Sequence, residues 1–452
     1  MWDACQGAPD ALTQVTFSGT GELPSPFAVT ELAAASMAAA GLAAACLART
    51  MQSGRSEAHA VQVDRRLASF WFAPSVRPQG WELPPIWDAV AGDYLARDGW
   101  IRLHTNAPHH RAAALAVLGV APERALVAQA VAQWDATDLE TAVVANKGCA
   151  GAMRSWQQWQ QHPQGLAVLA EPLLQWHAGS AAMRGDWPFN PRRPLSGIRV
   201  LDMTRVLAGP VATRLLASLG AEVLRIDPPG WDEAVLEPES TLGKRCARLD
   251  LHQGAERQRW ESLLQCADVL VHGYRSDALE GLGLGTQRRQ QLRPGLIDVA
   301  LDAYGFTGPW QARRGFDSIV QMSMGFAEQG QRSAGADKPV PLPVQALDHA
   351  TGYLMAAAVL RTLEQRARTG QGSVVRASLA RTGALLMDSL RDDGATRTPL
   401  APESPDDWMA QTEQTVWGPA RRLRWPLQVQ GIQAGWASSA VPLGSSPAAW
   451  AS

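Results

Sequence analysis

Two long runs of small apolar residues share one hydrophobic pattern along the chain. Each run follows a Gly/Pro-rich approach and a single acidic residue, and each consists mainly of Ala and Leu. Glu31 precedes Arg49 by the same interval at which Asp348 precedes Arg366. A Gly-containing turn and a short β-branched segment follow both runs. The repeat predicts a unit of acidic residue, long helix, turn and strand that occurs twice.

The first of these helices has to be tested as a membrane span. Residues 32–48 carry no charge, but they are mostly Ala and at the short end of the length that a span needs. The second run has the same pattern and contains Thr351, Arg361 and Glu364. Both helices are therefore predicted to be buried inside a soluble protein.

Residues 194–395 alternate between two periodicities. Short β-branched runs are separated by longer helical segments, the pattern of a parallel sheet covered by helices. The predicted strands are 198–201, 221–226, 268–271 and 296–301, and the predicted helices are 208–220 and 254–266. Ligands of such sheets bind at the carboxyl ends of the strands. The sequence therefore predicts an α/β, Rossmann-like domain with its ligand loops at 202–210, 227–232, 272–276 and 302–309.

Three further regions flank this domain. Residues 1–70 form the degenerate copy of the repeated unit, and residues 71–190 are predicted as a smaller α+β domain that ends in a Pro-rich linker at 185–191. Residues 396–452 are predicted as a C-terminal extended segment. The small domain rests on a hairpin and two helices, at residues 98–99, 110–118 and 155–162.

Composition narrows the function classes. The chain has 452 residues, 46% of them apolar, and a net charge of −2 with acidic and basic residues intermixed. It lacks the basic stripe that is typical of a nucleic-acid-binding protein. The five cysteines are scattered and odd in number, which argues against a disulfide framework and favours a reduced, cytoplasmic compartment. The sequence begins without the basic segment of a signal peptide.

Several local motifs permit more than one interpretation. Residues 281–285 resemble part of a dinucleotide fingerprint but do not follow a first strand, so NAD binding is not expected. Residues 201–210 form either a plain βα turn or a loop that holds an anion at a helix N-terminus. Asp348 is either a helix N-cap or a functional carboxylate. His109 and His110 lack a partner at helical spacing, so they are predicted as surface residues and no metal site is predicted.

A series of short motifs runs in a fixed order through residues 194–390. They are PLSGIRVLD at 194–202, AGP at 208–210, LGAEV at 219–223, GKR at 243–245, LDL at 249–251, ADVLV at 267–271, YR at 274–275, LG at 282–283, YG at 304–305, GP at 308–309, GFD at 315–317 and TGQG at 369–372. In this order they closely resemble the family III CoA-transferases, which include formyl-CoA transferase, carnitine CoA-transferase and α-methylacyl-CoA racemase. Members carry their small domain after the TGxG strand, so the domain order here is rearranged.

The resemblance implies a CoA-transferase that moves coenzyme A between carboxylic acids. Asp348 matches the family's nucleophilic aspartate, which attacks the thioester carbonyl and passes through an aspartyl-CoA thioester. Acyl-CoA and a carboxylic acid are then the substrates, no cofactor is tightly bound, no nucleic acid or membrane is a partner, and the protein is a homodimer. The residues implied in CoA binding are Val206, Leu207 and Ala208 at the pantetheine, and Lys244, Arg245, Tyr274 and Arg275 at the adenine or phosphates.

Departures from the family pattern bear on the reaction type. The racemase branch needs a histidine where Phe316 stands, so racemisation is not expected. His349 is not at the racemase position and is predicted on the helix surface. Glu31 occupies the place of Asp348 in the first copy, but its extra methylene would displace the carboxylate, so a structural role is predicted.

Other departures bear on CoA affinity. Pro228, Pro229 and Gly281 stand where the family has basic residues, which leaves fewer cations for the CoA phosphates. Two alternatives to a transferase therefore stay open. One is an acyl-CoA isomerase, racemase or intramolecular CoA transferase on the same fold, and the other is a non-catalytic CoA-binding subunit.

Overall fold

The computed structural model describes residues 1–52, 59–182, 187–275, 277–391 and 397–451. Three predicted features lie partly outside the described residues. They are the turn after the first Ala-rich helix, the linker at 185–191 and the ligand loop at 272–276, which contains Ser276. The strands are β1 (Val15–Ser18), β2 (Val61–Asp64), β3 (Val76–Pro78), β4 (Gly92–Leu95), β5 (Trp100–Leu103), β6 (Ala150–Ala152), β7 (Gln175–Ala181), β8 (Arg199–Met203), β9 (Glu222–Asp227), β10 (Arg245–Arg248), β11 (Val269–His272), β12 (Ile297–Asp302), β13 (Gln371–Ser378), β14 (Glu413–Thr415), β15 (Gly418–Arg422) and β16 (Leu427–Val429).

Helices connect most of these strands. The α-helices are α1 (Val29–Met51), α2 (Arg65–Phe70), α3 (Pro108–Leu118), α4 (Arg124–Val131), α5 (Ala136–Ala145), α6 (Trp156–Gln161), α7 (Pro163–Leu169), α8 (Ala208–Ser218), α9 (Glu237–Ser240), α10 (Gly254–Gln265), α11 (Ala278–Gly281), α12 (Thr286–Leu292), α13 (Asp317–Met324), α14 (Phe326–Ala334), α15 (Ala346–Thr369) and α16 (Leu379–Met387). Two 3₁₀ helices are Pro9–Gln14 and Pro405–Asp407.

The main sheet has the strand order β10-β9-β8-β11-β12-β13-β7. Its first six strands are parallel, and β7 pairs antiparallel with β13 at one edge. The strands β8, β9, β11 and β12 begin and end close to their predicted positions. Because parallel strands need crossover connections, helices cover the faces of the sheet and its strands are buried. The α/β, Rossmann-like class predicted from the alternating pattern is confirmed.

The two Ala-rich helices α1 and α15 pack along each other, and α15 also packs on α8. By length and hydropathy α1 could cross a membrane, but 89% of its most apolar window is buried inside the protein. Gly352, one turn after Asp348, permits a close approach of α15 to α8. A Cβ atom there would lie 2.4 Å from the backbone oxygen of Ala208. The start of α15 is therefore held against the loop that enters α8.

The antiparallel sheet β4-β5-β6 and the helices α3, α4 and α5 enclose a separate small core. This unit packs on α13 through β5 and β6, which brings it beside the main sheet. The chain then enters the main sheet for the first time, as its edge strand β7. The C-terminal segment crosses back to the first part of the chain, where β15 pairs with β3 and β16 with β2.

Candidate active site

Asp348 is the third residue of α15 and lies at the junction of two cavities. Only 7% of the residue is exposed. The N-cap position belongs to Gln345, and in the described structure the helix start shows no side-chain cap bond. The carboxylate is therefore not used in capping the helix, which removes the alternative role that the sequence left open.

A second carboxylate, that of Asp317, accepts a hydrogen bond from the backbone of Asp348. The Asp317 Oδ2 atom accepts a hydrogen bond of 2.9 Å from the Asp348 backbone N–H. The Asp317 Oδ1 atom accepts from Gln321 Nε2 at 2.5 Å, and the Gln321 Oε1 atom accepts from the backbone N–H of Leu342 at 2.8 Å. Asp317 is the first residue of α13, so this chain of bonds joins α13 to the start of α15.

The two neighbouring carboxyl groups perturb each other. Burial, reinforced by the negative charge of Asp317, raises the pKa of Asp348 well above its usual value. Burial also raises the pKa of Asp317 to about 6, because the hydrogen bonds from Gln321 and from the backbone offset only part of the desolvation. Like charges in a buried site resist simultaneous ionisation. Once ionised, Asp348 is therefore a basic and poorly solvated carboxylate.

The first cavity, of about 310 Å³, lies at the carboxyl ends of β8, β11 and β12. Four arginines line it: Arg205, Arg275, Arg313 and Arg314. The Arg313 Nη2 atom is bonded to Glu140 at 2.9 Å, and Arg275 approaches Asp277 at 3.3 Å.

The other two arginines of this cavity carry charge that is not neutralised locally. The Arg205 guanidinium stacks 4.7 Å from the ring of Trp231 and 4.8 Å from that of Tyr274. Burial and the nearby Arg275 lower the pKa of Arg314. Within the described ranges neither Arg205 nor Arg314 has an ion pair with a carboxylate. This cavity is therefore suited to an anionic ligand such as a phosphate.

The loop between β8 and α8 is held in an unusual conformation. Val206 has a φ of 66°, a region that a β-branched residue rarely adopts. Its backbone N–H donates to the Glu233 Oε1 atom at 2.7 Å, and Glu233 Oε2 accepts from Arg225 Nη2 at 2.7 Å. Because Glu233 and Arg225 are buried, they fix the loop against both cavities.

Residues 195–397 match the family model described as CoA-transferase family III. Over this range the chain is similar to the CoA-transferases of family III. A probable fatty acyl-CoA transferase of Mycobacterium tuberculosis is 36% identical over 42% of this chain and 51% of its own length. The succinyl-CoA:glutarate CoA-transferase of Mus musculus is 33% identical over 44% of this chain and 50% of its own. The chain thus spans about half the length of these curated relatives.

Solved structures give a similar partial match. The crystal structure of a hypothetical protein from Mycobacterium tuberculosis is 32% identical to this chain over the matched part, with a TM-score of 0.39. The match covers 44% of this chain and 59% of that protein. A CAIB/BAIF family protein from Brucella suis is 25% identical, covers 50% of this chain and 65% of its own, and has a TM-score of 0.39.

Five of the CoA-binding residues implied by the family resemblance lie together around Asp348. Val206 lines both cavities and Leu207 lines the second, while Ala208, Tyr274 and Arg275 line the first. Four belong to the loops that follow β8 and β11, and Ala208 is the first residue of α8, so all five lie near the carboxyl ends of strands, where the parallel sheet predicts ligand binding.

The other two implied residues, Lys244 and Arg245, lie elsewhere in the described structure. The Lys244 ammonium is fully buried and donates to Asp202 Oδ2 at 3.0 Å and to Thr213 Oγ1 at 2.7 Å. The Arg245 Nη1 atom donates to the backbone oxygen of Ala449 at 2.8 Å. Lys244 is engaged inside the fold, and Arg245 is half-buried near Ala449, so neither cation lines either described cavity.

The prediction of surface histidines is wrong at two positions. His110 is only 3% exposed, lines the first cavity and stands edge-on to Phe316 with ring centroids 5.8 Å apart. His349 is buried and stacks on Phe72 at 5.1 Å. In both cases a segment that is distant in sequence covers the helix face, which the local pattern does not reveal.

Sequence reasoning also missed residues of the site. Arg205 and Arg314 were not among the implied CoA contacts, although Arg314 directly precedes the GFD motif and Arg205 lies in the informative loop. Asp317 is the last residue of GFD, and only its contact with the Asp348 backbone shows its place in the site. The position of these residues beside recognised motifs was the signal that could have indicated them.

Proposed function

We propose that this chain is a CoA-transferase in which Asp348 is the nucleophile. The observation that carries the proposal is the place of Asp348, a buried and unneutralised carboxylate between a cavity lined by arginines and a mainly apolar cavity. In this arrangement the phosphates and pantetheine of CoA occupy the first cavity, with Arg205 and Arg314 as phosphate partners. The acyl group enters the second cavity, and the thioester carbonyl lies at Asp348.

The reaction then proceeds in balanced steps. An Asp348 oxygen attacks the thioester carbonyl, the C–S bond breaks, and a mixed anhydride and the CoA thiolate form. The thiolate attacks the aspartyl carbonyl, which releases the first carboxylate and leaves an aspartyl-CoA thioester. An acceptor carboxylate attacks that thioester and the thiolate returns once more, which gives the new acyl-CoA and free Asp348. Splitting the exchange in this way avoids one difficult direct step.

The electrostatics of the carboxyl pair support the covalent steps. Ionised Asp348 is buried and repelled by Asp317, so the free carboxylate is destabilised before reaction. Formation of the anhydride or thioester removes that negative charge and with it both penalties. The backbone bond from Asp348 to Asp317 keeps the helix start in place while the side chain reacts.

Intact mass analysis tests the proposal. The protein, its Asp348→Ala variant and the control variant Glu31→Gln are incubated with a panel of acyl-CoA thioesters and quenched. We expect an acyl or CoA adduct on the protein and on Glu31→Gln, located on the peptide of Asp348, and none on Asp348→Ala. CoA binding without an adduct for any donor would contradict the proposal and favour a non-catalytic CoA-binding subunit.

A second candidate, an acyl-CoA isomerase or racemase on the same fold, draws support from His104. Its ring stacks on Phe316 with centroids 3.8 Å apart, and both residues line the cavity that contains Asp348. Burial lowers the pKa of His104 to about 3, so the imidazole is neutral but a weak base, and this candidate rests on the position of the ring alone. Deuterium uptake at the α-carbon of a bound acyl-CoA, lost in His104→Phe, would favour this candidate. Exchange of CoA between two acids without that uptake would exclude it.

Two properties of the whole protein remain predictions of the family resemblance. We propose a homodimer and a cytoplasmic location. Sedimentation that shows a monomer at every concentration would contradict the dimer. Fractionation of cells that express the full protein tests the location.

A further inference from the structure

The second cavity has a wall that differs in chemistry from that of the first. It has a volume of about 540 Å³, within the range of small-molecule sites. Its apolar side chains come from segments that are distant in sequence and include Phe72, Val76, Ile86, Leu236 and Val344. The cavity is large enough to enclose more than a short acyl chain.

Positive charge is absent from this wall as far as the described residues show. The lining contains no Lys or Arg in the described ranges, whereas the first cavity has four arginines. Two histidines, His104 and His349, do line it. Burial lowers the pKa of each to about 3, so both imidazoles are neutral at physiological pH. A negative group at the far end of a ligand would meet no cation here.

The wall does contain carboxylates. The carboxylates that line the cavity are Asp88, Asp232, Glu233, Glu239, Asp317 and Asp348. The arginines behind them are already engaged, since Arg225 Nη2 lies 2.7 Å from Glu233 and Arg422 Nη1 lies 3.1 Å from Glu239. A further buried carboxylate would therefore find no unengaged cation among the described wall residues and would stay unpaired, which is costly in a desolvated site.

We propose that the second cavity is the acyl pocket and that it selects uncharged, apolar acyl groups over acyl groups that end in a second carboxylate. The inference rests on the proposed function, because the acyl group enters this cavity only if the thioester carbonyl lies at Asp348. Val206, Phe316 and Asp348 line both cavities, so a thioester at their junction has CoA on the arginine side. The reacting carboxylate of an acceptor loses its charge at Asp348, whereas a second carboxylate would remain charged against the wall.

Binding of two unreactive CoA thioethers tests the selection. Hexyl-CoA and carboxypentyl-CoA have chains of similar length and differ by a terminal carboxylate. We expect hexyl-CoA to bind at least roughly tenfold more tightly by titration calorimetry, because the carboxylate would be desolvated without a partner. Equal or tighter binding of carboxypentyl-CoA would overturn the proposal. Neither thioether can transfer, so this result is independent of the adduct experiment, whose failure would count against the proposed function alone.

A charge variant tests the cause of the selection. Val235 is a half-buried wall residue on the loop between β9 and α9. Val235→Lys should reduce the ratio of the two dissociation constants, carboxypentyl-CoA over hexyl-CoA, by roughly tenfold, because the lysine supplies the missing cation. The matched control Val235→Met has a side chain of similar length without charge and should leave the preference unchanged. If both variants changed it equally, the charge of the wall would not be its cause and the proposal would fail.

Discussion

The helices α1 and α15 both carry an acidic residue in their first turn, but the charges around these two residues are opposite. The side chain of Glu31 is 36% exposed and lies 2.5 Å from Arg65 and 3.0 Å from Arg391. Asp348 is buried, and its charged neighbour is the carboxylate Asp317 rather than a cation. The first copy thus pairs its carboxylate with two cations, whereas the surroundings of the second copy destabilise the ionised form of its carboxylate.

This contrast separates what the repeated unit contributes from what its surroundings contribute. Both copies supply a long Ala-rich helix whose small side chains permit close packing, which is a scaffold property. The electrostatic state of the acidic residue depends on the charges that other segments bring to the first turn of the helix. A carboxylate that is paired with two guanidiniums is stabilised and a weak nucleophile, whereas a buried carboxylate without such a partner is basic.

The largest expected effect is on the reaction itself. Asp348→Asn keeps the shape of the side chain and removes its nucleophilic charge, so kcat for CoA exchange between two acids should fall on the order of 10⁴-fold or more. The matched change Glu31→Gln should leave kcat within about twofold, since surface-paired groups away from a site contribute little to it. Equal losses in the two variants, both folded by circular dichroism, would show that the copies do not differ in role.

A smaller loss of kcat is expected when position 348 keeps a carboxylate but the carboxylate is displaced. Asp348→Glu adds one methylene, and a misplacement of about 1 Å can cost on the order of 100-fold in rate. The reciprocal change Glu31→Asp should give no activity to a protein that already carries Asp348→Asn. Measurement of kcat in these variants separates geometry from charge. Full activity of Asp348→Glu would mean that the position of the carboxylate is not critical.

The fold was largely predictable because its pattern is local. The strands β8 and β9 are short β-branched runs, and α8 lies between them with a Gly at its end, so each boundary follows from neighbouring residues. Asp348 itself came from the family resemblance, since an acidic residue at a helix start also suits capping.

The charge state of the site was not predictable in the same way. From the sequence, Lys244 was expected to contact a phosphate of CoA. In the structure its ammonium is buried and forms an ion pair with Asp202 on β8. His110 looked exposed, but Phe316 covers it. Whether a cation is engaged, or a helix face covered, depends on partners that are distant in sequence. A single sequence carries little information about such partners.

A pH profile tests whether Asp317 sets the basicity of Asp348. In the proposed mechanism Asp348 attacks in its ionised form, so activity should be lost as the pH falls through its raised pKa. Asp317→Asn removes the repelling charge, lowers the pKa of Asp348 and should move the acid limb of kcat/KM on the order of one pH unit to lower pH. The control Glu31→Gln removes a carboxylate that pairs with Arg65 and Arg391 on the other copy of the unit, so it should leave the acid limb in place. A profile unchanged by Asp317→Asn would contradict the electrostatic coupling.

The smallest expected effect is on stability, and its sign should differ between the copies. The raised pKa of folded Asp348 favours the folded state below the unfolded value of about 4, and this contribution is lost as the pH rises through the folded pKa. Above it the buried charge opposes folding, so Asp348→Asn should stabilise the protein by about 1–2 kcal/mol at alkaline pH. Glu31→Gln breaks two partly exposed ion pairs and should destabilise it by about 0.5–1 kcal/mol. Urea unfolding at pH 5 and pH 9 measures both, and destabilisation by Asp348→Asn at the higher pH would mean that this carboxylate, like Glu31, has a stabilising partner.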